Sequence, residues 1–272
     1  MGKSTFCNFL AGYPDEDPDA FGTGAPVNGS SVTKKSTVKK VQWRGNGQYF
    51  TLIDTPGLSD PAGSDADRRQ FQEVIQVLRR QIKSISAIVR VTKGTENRLL
   101  SHVKLNLKLY KFMFGNAMRD SLITEVTFWS HAQKSKRDRE EFRSRNDYLM
   151  QQLFYNNSTK SKIVFVDPID ALPKHLKERK KVIYAAIPEA SKTQEEELKK
   201  LKTHIWEQEP FSCKKNCKFA EKIFDSRNSY PTIVSGEEYP STRYEVSYHY
   251  QNAFLLFLLV SLIYLSYSTL PY

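Results

Sequence analysis

An α/β fold built on a doubly wound, mainly parallel sheet is the class this chain predicts, and three features of the sequence predict it. Gly2-Lys3-Ser4-Thr5 is the closing half of a phosphate-binding loop, followed by Phe6, Phe9 and Leu10 at near-helical spacing. Leu52-Ile53-Asp54-Thr55-Pro56-Gly57 lies fifty residues on, an apolar strand-like run ending in a carboxylate and a glycine. From Ile85 to Val166, short apolar runs alternate with helical patterns, as expected of parallel strands joined by helical crossovers.

Each element follows from its own pattern. Ser4 to Ala11 reads as the helix behind the loop, with Gly12 as its stop. Tyr13 to Ser31 is rich in Pro, Gly, Asp and Ser without apolar period, a long loop leading to Ser31-Val32-Thr33. Thr37 to Trp43 and Gln48 to Ile53 are β-rich runs separated by Arg44-Gly45-Asn46-Gly47, a hairpin signal. Leu58-Ser59-Asp60-Pro61 forms a second loop, and Phe71 to Ile82 places Phe71, Val74, Ile75, Leu78 and Ile82 on one helical face. Ile85 to Val91 reads as a buried parallel strand, and Leu99 to Phe114 as a helix ended by Gly115. Leu122 to Trp129 is the next strand, Lys134 to Glu141 a charged, solvated stretch, Arg139 to Phe154 a helix, and Lys162 to Val166 the last convincing strand.

Beyond Pro168 the pattern becomes helical and charged, over Leu172 to Tyr184 and Gln194 to Trp206. Residues 1–210 are therefore expected to form the nucleotide-type domain with its helical C-terminal extension, and residues 211–252 a linker. A terminal apolar segment follows at residues 253–270. Ala253 to Leu270 contains no charged residue. As a helix these eighteen residues would span about 27 Å, close to the ~30 Å of bilayer hydrocarbon, so a short C-terminal transmembrane anchor is expected.

The residue types explain the chemistry. Lys3 can neutralise the β- and γ-phosphates of a nucleotide, the Ser4 hydroxyl can bind Mg²⁺, and the first N–H groups of the following helix face the anion. Asp54 supplies a carboxylate near the metal and Gly57 an N–H able to approach the γ-phosphate. A guanine-nucleotide switch domain is the leading reading of these two motifs in this order. A complete loop reads G-x-x-x-x-G-K-[ST] after a buried strand, whereas only Met1 precedes Gly2. The expectation is an N-terminally shortened version of a longer protein, its sheet lacking the central first strand and its loop the first glycine.

The bulk numbers bound the alternatives. A net charge of +11 suits an anionic partner or a solvated basic surface, yet no nucleic-acid-binding module is visible. Cys7, Cys213 and Cys217 are too few for a disulfide framework, which fits a reducing compartment. Cys213 and Cys217 have neither a second pair nor a neighbouring His, which argues against zinc.

Gly2-Lys3-Ser4-Thr5, Ser31-Val32-Thr33, Leu52 to Asp60, Val91-Thr92-Lys93-Gly94 and Arg98 together resemble the AIG-type GTPases, the family of the immunity-associated (GIMAP) proteins, related to chloroplast import-receptor GTPases. The similarity covers roughly Met1 to Asp167. It implies a P-loop GTPase domain that binds GTP or GDP with Mg²⁺, oligomers built through that domain, and a C-terminal membrane anchor. The implied nucleotide-binding set is Gly2, Lys3, Ser4, Thr5, Thr33, Asp54, Gly57 and His131, with Ser4, Thr33 and Asp54 on the metal. No [NT]-K-x-D motif is present. Ser130-His131-Ala132-Gln133 stands after the Leu122 to Trp129 strand and is similar to the Thr-His-Ala type of the import receptors, which puts His131 beside the base. A polar loop histidine without a ligand fits the same residues. Leu58 follows Gly57 where Ras-like switches carry a water-orienting Gln, so any GTPase activity is expected to be slow. Arg98 and the Arg68-Arg69 pair read better as surface arginines than as residues acting in trans.

Two functions remain open at this stage. One is a slow GTPase, tail-anchored by a single pass with its G domain in the cytosol, whose GTP-bound switches favour homo-oligomeric assembly on a membrane. The other is a nucleotide-free relative serving as a membrane-associated interaction scaffold.

Overall fold

The computed structural model describes residues 2–14, 16–24, 33–57, 64–94, 101–129, 135–154, 161–211 and 261–266. Helix α1 (Lys3–Ala11) begins directly behind Gly2 and buries Phe6, Cys7, Phe9 and Leu10. Gly12 ends it as its sequence predicts: at φ 75° it takes the left-handed conformation that suits glycine, and its N–H reaches the carbonyls of Asn8 and Phe9. Strands β1 (Thr37–Gln42) and β2 (Tyr49–Asp54) form the expected antiparallel hairpin. Trp43 to Gly45 makes a 3₁₀ turn between them.

Helix α2 (Ser64–Gln81) starts seven residues before the expected Phe71, because its first two turns are polar and carry no apolar period. Then come β3 (Ala87–Lys93), α3 (Ser101–Phe114), the short α4 (Ala117–Ser121) and β4 (Leu122–Thr127). The β4 run stops two residues short of Trp129, at Phe128, whose φ of 54° turns the backbone out of the strand. Helix α5 (Ser135–Phe154) includes the charged stretch read as solvated, and residues 136–138, 140 and 141 are indeed exposed. Strand β5 (Lys162–Val164) and helices α6 (Lys174–Ala186) and α7 (Pro188–Trp206) follow, then β6 (Ser261–Ser266).

The sheet order is β1-β2-β6-β3-β4-β5. Strands β3, β4 and β5 are parallel, and β6 is antiparallel to both β2 and β3. Alternating side chains split the core in two. On one face Ile53 and Ile88 join α2, α3 and α5 through Phe71, Ile75, Leu107, Tyr110 and Leu149. On the other, Leu52, Val89 and Ile123 meet α1 and α7 through Phe6, Leu10, Leu201 and Ile205. Helices thus cover both faces of an α/β sheet, but the sheet is not mainly parallel as expected, because three of its five strand pairings, β1 with β2, β2 with β6 and β6 with β3, are antiparallel.

The centre of the sheet differs from expectation, and strand stands within part of the expected tail helix. The centre does not lack a strand, since β6 lies between β2 and β3, with Leu52 opposite Leu265 and Val89 opposite Ile263. The helix expected across residues 253–270 is not formed at Ser261–Ser266, which is strand. A continuous apolar run carries no periodicity that separates helix from buried strand, and two facing strand edges flank Ile263 to Leu265 on both sides. No helix among the described residues is long and apolar enough to cross a membrane. Residues 253–260 and 267–270 lie outside the described residues. Phe211, assigned to the linker, instead exchanges two backbone hydrogen bonds with Ile85 and so belongs to the body of the domain.

Candidate functional site

The first turn of α1 meets the end of β2. Ser4 Oγ donates a 2.6 Å hydrogen bond to Asp54 Oδ2 across a fifty-residue separation, and Ser4 Oγ lies 3.2 Å from Thr33 Oγ1. Three residues predicted to surround one metal therefore converge. The structure places them together because Asp54 ends a central strand while α1 packs over that strand's face through Phe6 and Leu10.

Gly2 holds the approach to this turn. At φ 120° it adopts a conformation that side chains rarely take, and a Cβ there would meet Thr127 Cγ2 at 3.3 Å. Its carbonyl accepts the Phe6 N–H at 2.7 Å, which starts the helix. Thr5 is half-buried within the first turn, and Gly57 is buried three residues past Asp54. His131, Leu58 to Asp60 and Arg98 lie outside the described residues.

Burial governs the electrostatics. Lys3 and Ser4 are each 8 % exposed and Asp54 2 %. Desolvation pulls the Lys3 ammonium below its ordinary pKa, against the opposing attraction of Asp54 and, less, of Cys7. Desolvation likewise pushes the Asp54 carboxyl up, opposed by Lys3, by the Ser4 hydroxyl and by the Thr55 N–H. Burial and then the Asp54 charge raise the Cys7 thiol well above its usual value, so it is inert packing. Asp54 Oδ1 is buried with no hydrogen-bond partner among the described residues.

This donor set fits a hard divalent cation: two hydroxyls and one carboxylate, all oxygen, with one carboxylate oxygen unpartnered. It fits poorly to zinc, which prefers nitrogen and sulfur, and the described residues hold no cluster of three His, Cys, Asp or Glu. The Lys3 ammonium beside it, at the N-terminus of a nine-residue helix, adds positive potential suited to a phosphate.

Several supporting residues had no visible signal in the sequence. Asn8 donates to the Phe21 carbonyl at 3.0 Å and accepts the Phe21 N–H at 2.6 Å, clamping the loop after α1. An Asn on the buried face of an apolar helix was its only clue. Glu73 on α2 accepts the Ser36 N–H and hydroxyl, a pairing across thirty-seven residues that no motif announces. Glu125 on β4 is fully buried and neither carboxylate oxygen has a hydrogen-bond partner among the described residues. Burial, with the nearby Asp167 adding to it, pushes its pKa well above the usual carboxylate range. Asp167 itself pairs with Lys180 at 2.6 Å, and its backbone is held by the Gln194 side chain.

Compared with protein-family models and with curated protein sequences, the chain matches none, so the reading of this site stands on its residues and their geometry.

Proposed function

We propose that the chain is a GTP-binding protein of the AIG type with slow GTPase activity, using Mg²⁺, and that nucleotide state controls its assembly at a membrane. The observation that carries this reading is the convergence of Lys3 and Ser4, in the first turn of a helix, with Asp54 at the end of a strand and Thr33 on the intervening loop. Phosphate recognition with a metal needs that arrangement, whereas a merely structural helix start does not need a buried lysine beside a partly unpartnered carboxylate.

Each residue has a definite task in this reading. The Lys3 ammonium neutralises phosphate charge that would otherwise oppose binding, and the free N–H groups of α1 orient the anion. Ser4, Thr33 and Asp54 would hold Mg²⁺, which when bound neutralises charge on the β- and γ-phosphate oxygens. Gly57, without a side chain, would offer its N–H to the γ-phosphate. Guanine selectivity and the base-side role of His131 rest on the resemblance. So do oligomerisation through the G domain and attachment by the apolar tail, with the domain facing the cytosol. Membrane insertion of residues 253–270 would require Ser261–Ser266 to leave the sheet, because one segment cannot be a central strand and a bilayer helix at once.

The test is titration of the full chain with a fluorescent GTP analogue, with Mg²⁺ and with EDTA, using ATP as competitor. Expected are Mg²⁺-dependent binding, displacement by GTP but not ATP, and loss of binding in Lys3→Ala and Ser4→Asn. Absence of Mg²⁺-dependent binding in the wild type, or binding unchanged in Lys3→Ala, would overturn the proposal.

A second reading has one observation in its favour. Ser4 already occupies Asp54 Oδ2, and Lys3 is nearly closed off from solvent, as in a domain retained as an interaction scaffold without nucleotide. The same titration separates the two, since a scaffold would remain folded and membrane-associated while binding neither GTP nor GDP.

A further inference from the structure

We infer that Glu73 is a positioning residue that ties α2 to residues 33–36, so that α2 holds the Thr33 hydroxyl at the Ser4–Asp54 site. Its consequence for nucleotide rests on the function proposed above, but its geometry does not.

Both Glu73 carboxylate oxygens face the Ser36 N–H, at 3.0 and 3.1 Å, and one of them also accepts the Ser36 hydroxyl. Two donors of one residue thus converge on one carboxylate, a charge-assisted arrangement stronger than a neutral hydrogen bond. Ser36 is the last residue before β1, whose first residue, Thr37, is the register partner of Asp54. Three residues earlier, Thr33 reaches Ser4. Only Lys34 and Lys35 separate the two contacts, and both are exposed. A link that short spans at most about 10 Å of chain, so the placement of Ser36 restricts where the Thr33 hydroxyl can go.

The other end of the tie is α2, the first helix after Asp54-Thr55-Pro56-Gly57. In a nucleotide switch, the loop bearing the metal-binding threonine and the segment after the Asp-x-x-Gly motif are ordered by the γ-phosphate and released on hydrolysis. Glu73, on the helix that follows that motif, holds the backbone three residues from Thr33, so a displacement of α2 carries the Thr33 hydroxyl with it. The tie favours the triphosphate state alone, because only there is the Thr33 hydroxyl required. A simple structural brace would instead support GTP-bound and GDP-bound forms equally.

The experiment compares wild type, Glu73→Ala and Glu73→Gln for affinity toward a non-hydrolysable GTP analogue and toward GDP, both with Mg²⁺. Expected for Glu73→Ala is a loss of about tenfold for the triphosphate analogue, the scale of one lost charge-assisted hydrogen bond, with GDP affinity within about twofold of wild type. Glu73→Gln, which keeps an acceptor oxygen without the charge, falls between and carries the test should Glu73→Ala fail to fold. Equal losses for both nucleotides, or no loss for either, would overturn the inference. If the wild type binds no nucleotide at all, the functional proposal fails instead, and hydrogen exchange of amides 34–37 decides the tie. Faster exchange in Glu73→Gln than in wild type supports it, and unchanged rates overturn it.

Discussion

Replacing Lys3 by methionine should make the nucleotide-free domain more stable while abolishing the nucleotide binding proposed above. The Lys3 side chain is 8 % exposed, and burial lowers its pKa despite the attraction of Asp54, so the charged form is worse off folded than in water. Met has a similar length and no charge, and packs in the same channel beside Cys7 without leaving a cavity. Replacing a whole buried ion pair by apolar side chains of similar volume is neutral or stabilising by ~1–4 kcal/mol, whereas removing one partner costs ~3–5 kcal/mol if the other stays charged. Asp54 loses its partner in the exchange, but burial already raises its pKa and Lys3 is the main group opposing that rise, so the carboxyl takes up a proton instead of remaining a bare buried charge, which places the expected net gain at about 1 kcal/mol. The sign with pH is also set. Because the folded pKa of Lys3 is depressed, the unfolded chain binds more protons between that value and 10.5, and wild-type stability rises with pH across the window. Methionine has no such dependence, so the variant's advantage should shrink as pH approaches 10.5. Urea unfolding of both proteins in EDTA, at pH 7 and pH 10, measures the difference directly. A variant less stable than wild type by more than about 1 kcal/mol at pH 7, or a gap that widens with pH, would show that burial does not dominate at this site.

Three further outcomes follow from the same structure. Gly12→Ala should destabilise far more than Gly45→Ala: both glycines have positive φ, costing ~1–2 kcal/mol for a side chain, but a Cβ at Gly12 would come within 2.4 Å of the Arg44 backbone, whereas at Gly45 the nearest atom is 3.9 Å away. Equal urea midpoints for the two variants would refute the packing of α1 against the hairpin turn. Glu125→Gln should flatten the pH dependence of stability. With its folded pKa raised, Glu125 holds a proton that the unfolded chain loses, so wild type falls relative to the variant as pH rises above 4.5, by up to ~1.4 kcal/mol per pH unit, as thermal scans from pH 4 to 8 would record. Finally, Leu52→Cys with Leu265→Cys, made in a chain whose three native cysteines are changed to serine, should form an intrachain disulfide in the soluble fraction, because these positions are register partners. Carbonate-resistant protein should lack that crosslink, and a chain ended after Tyr250 should be absent from that fraction.

Much of this architecture was legible from residue patterns. Phe71, Val74, Ile75 and Leu78 announced the buried face of α2, Gly12 and Gly115 the ends of two helices, and Ala87 to Val91 a strand covered on both sides. The meeting of Ser4 with Asp54 was also legible, from the order and spacing of their two motifs. Helix starts were less so: the polar first turns of α2 and α7 have no apolar period, and only packing further along makes them helical.

What the tertiary structure alone decided shares one physical cause. Local sequence encodes the conformational preferences of neighbours, whereas the state of an apolar run or a buried carboxylate depends on what distant chain brings beside it. The uncharged tail could satisfy its backbone either as a bilayer helix or as a strand, and the facing edges of β2 and β3 made Ser261–Ser266 a strand. Glu73 and Asn8 are ordinary polar residues until Ser36 and Phe21 arrive opposite them. The composition of the site was set by its motifs, but the burial that perturbs Lys3 and Asp54 arises only when α1 packs on the sheet, because desolvation belongs to the assembled fold.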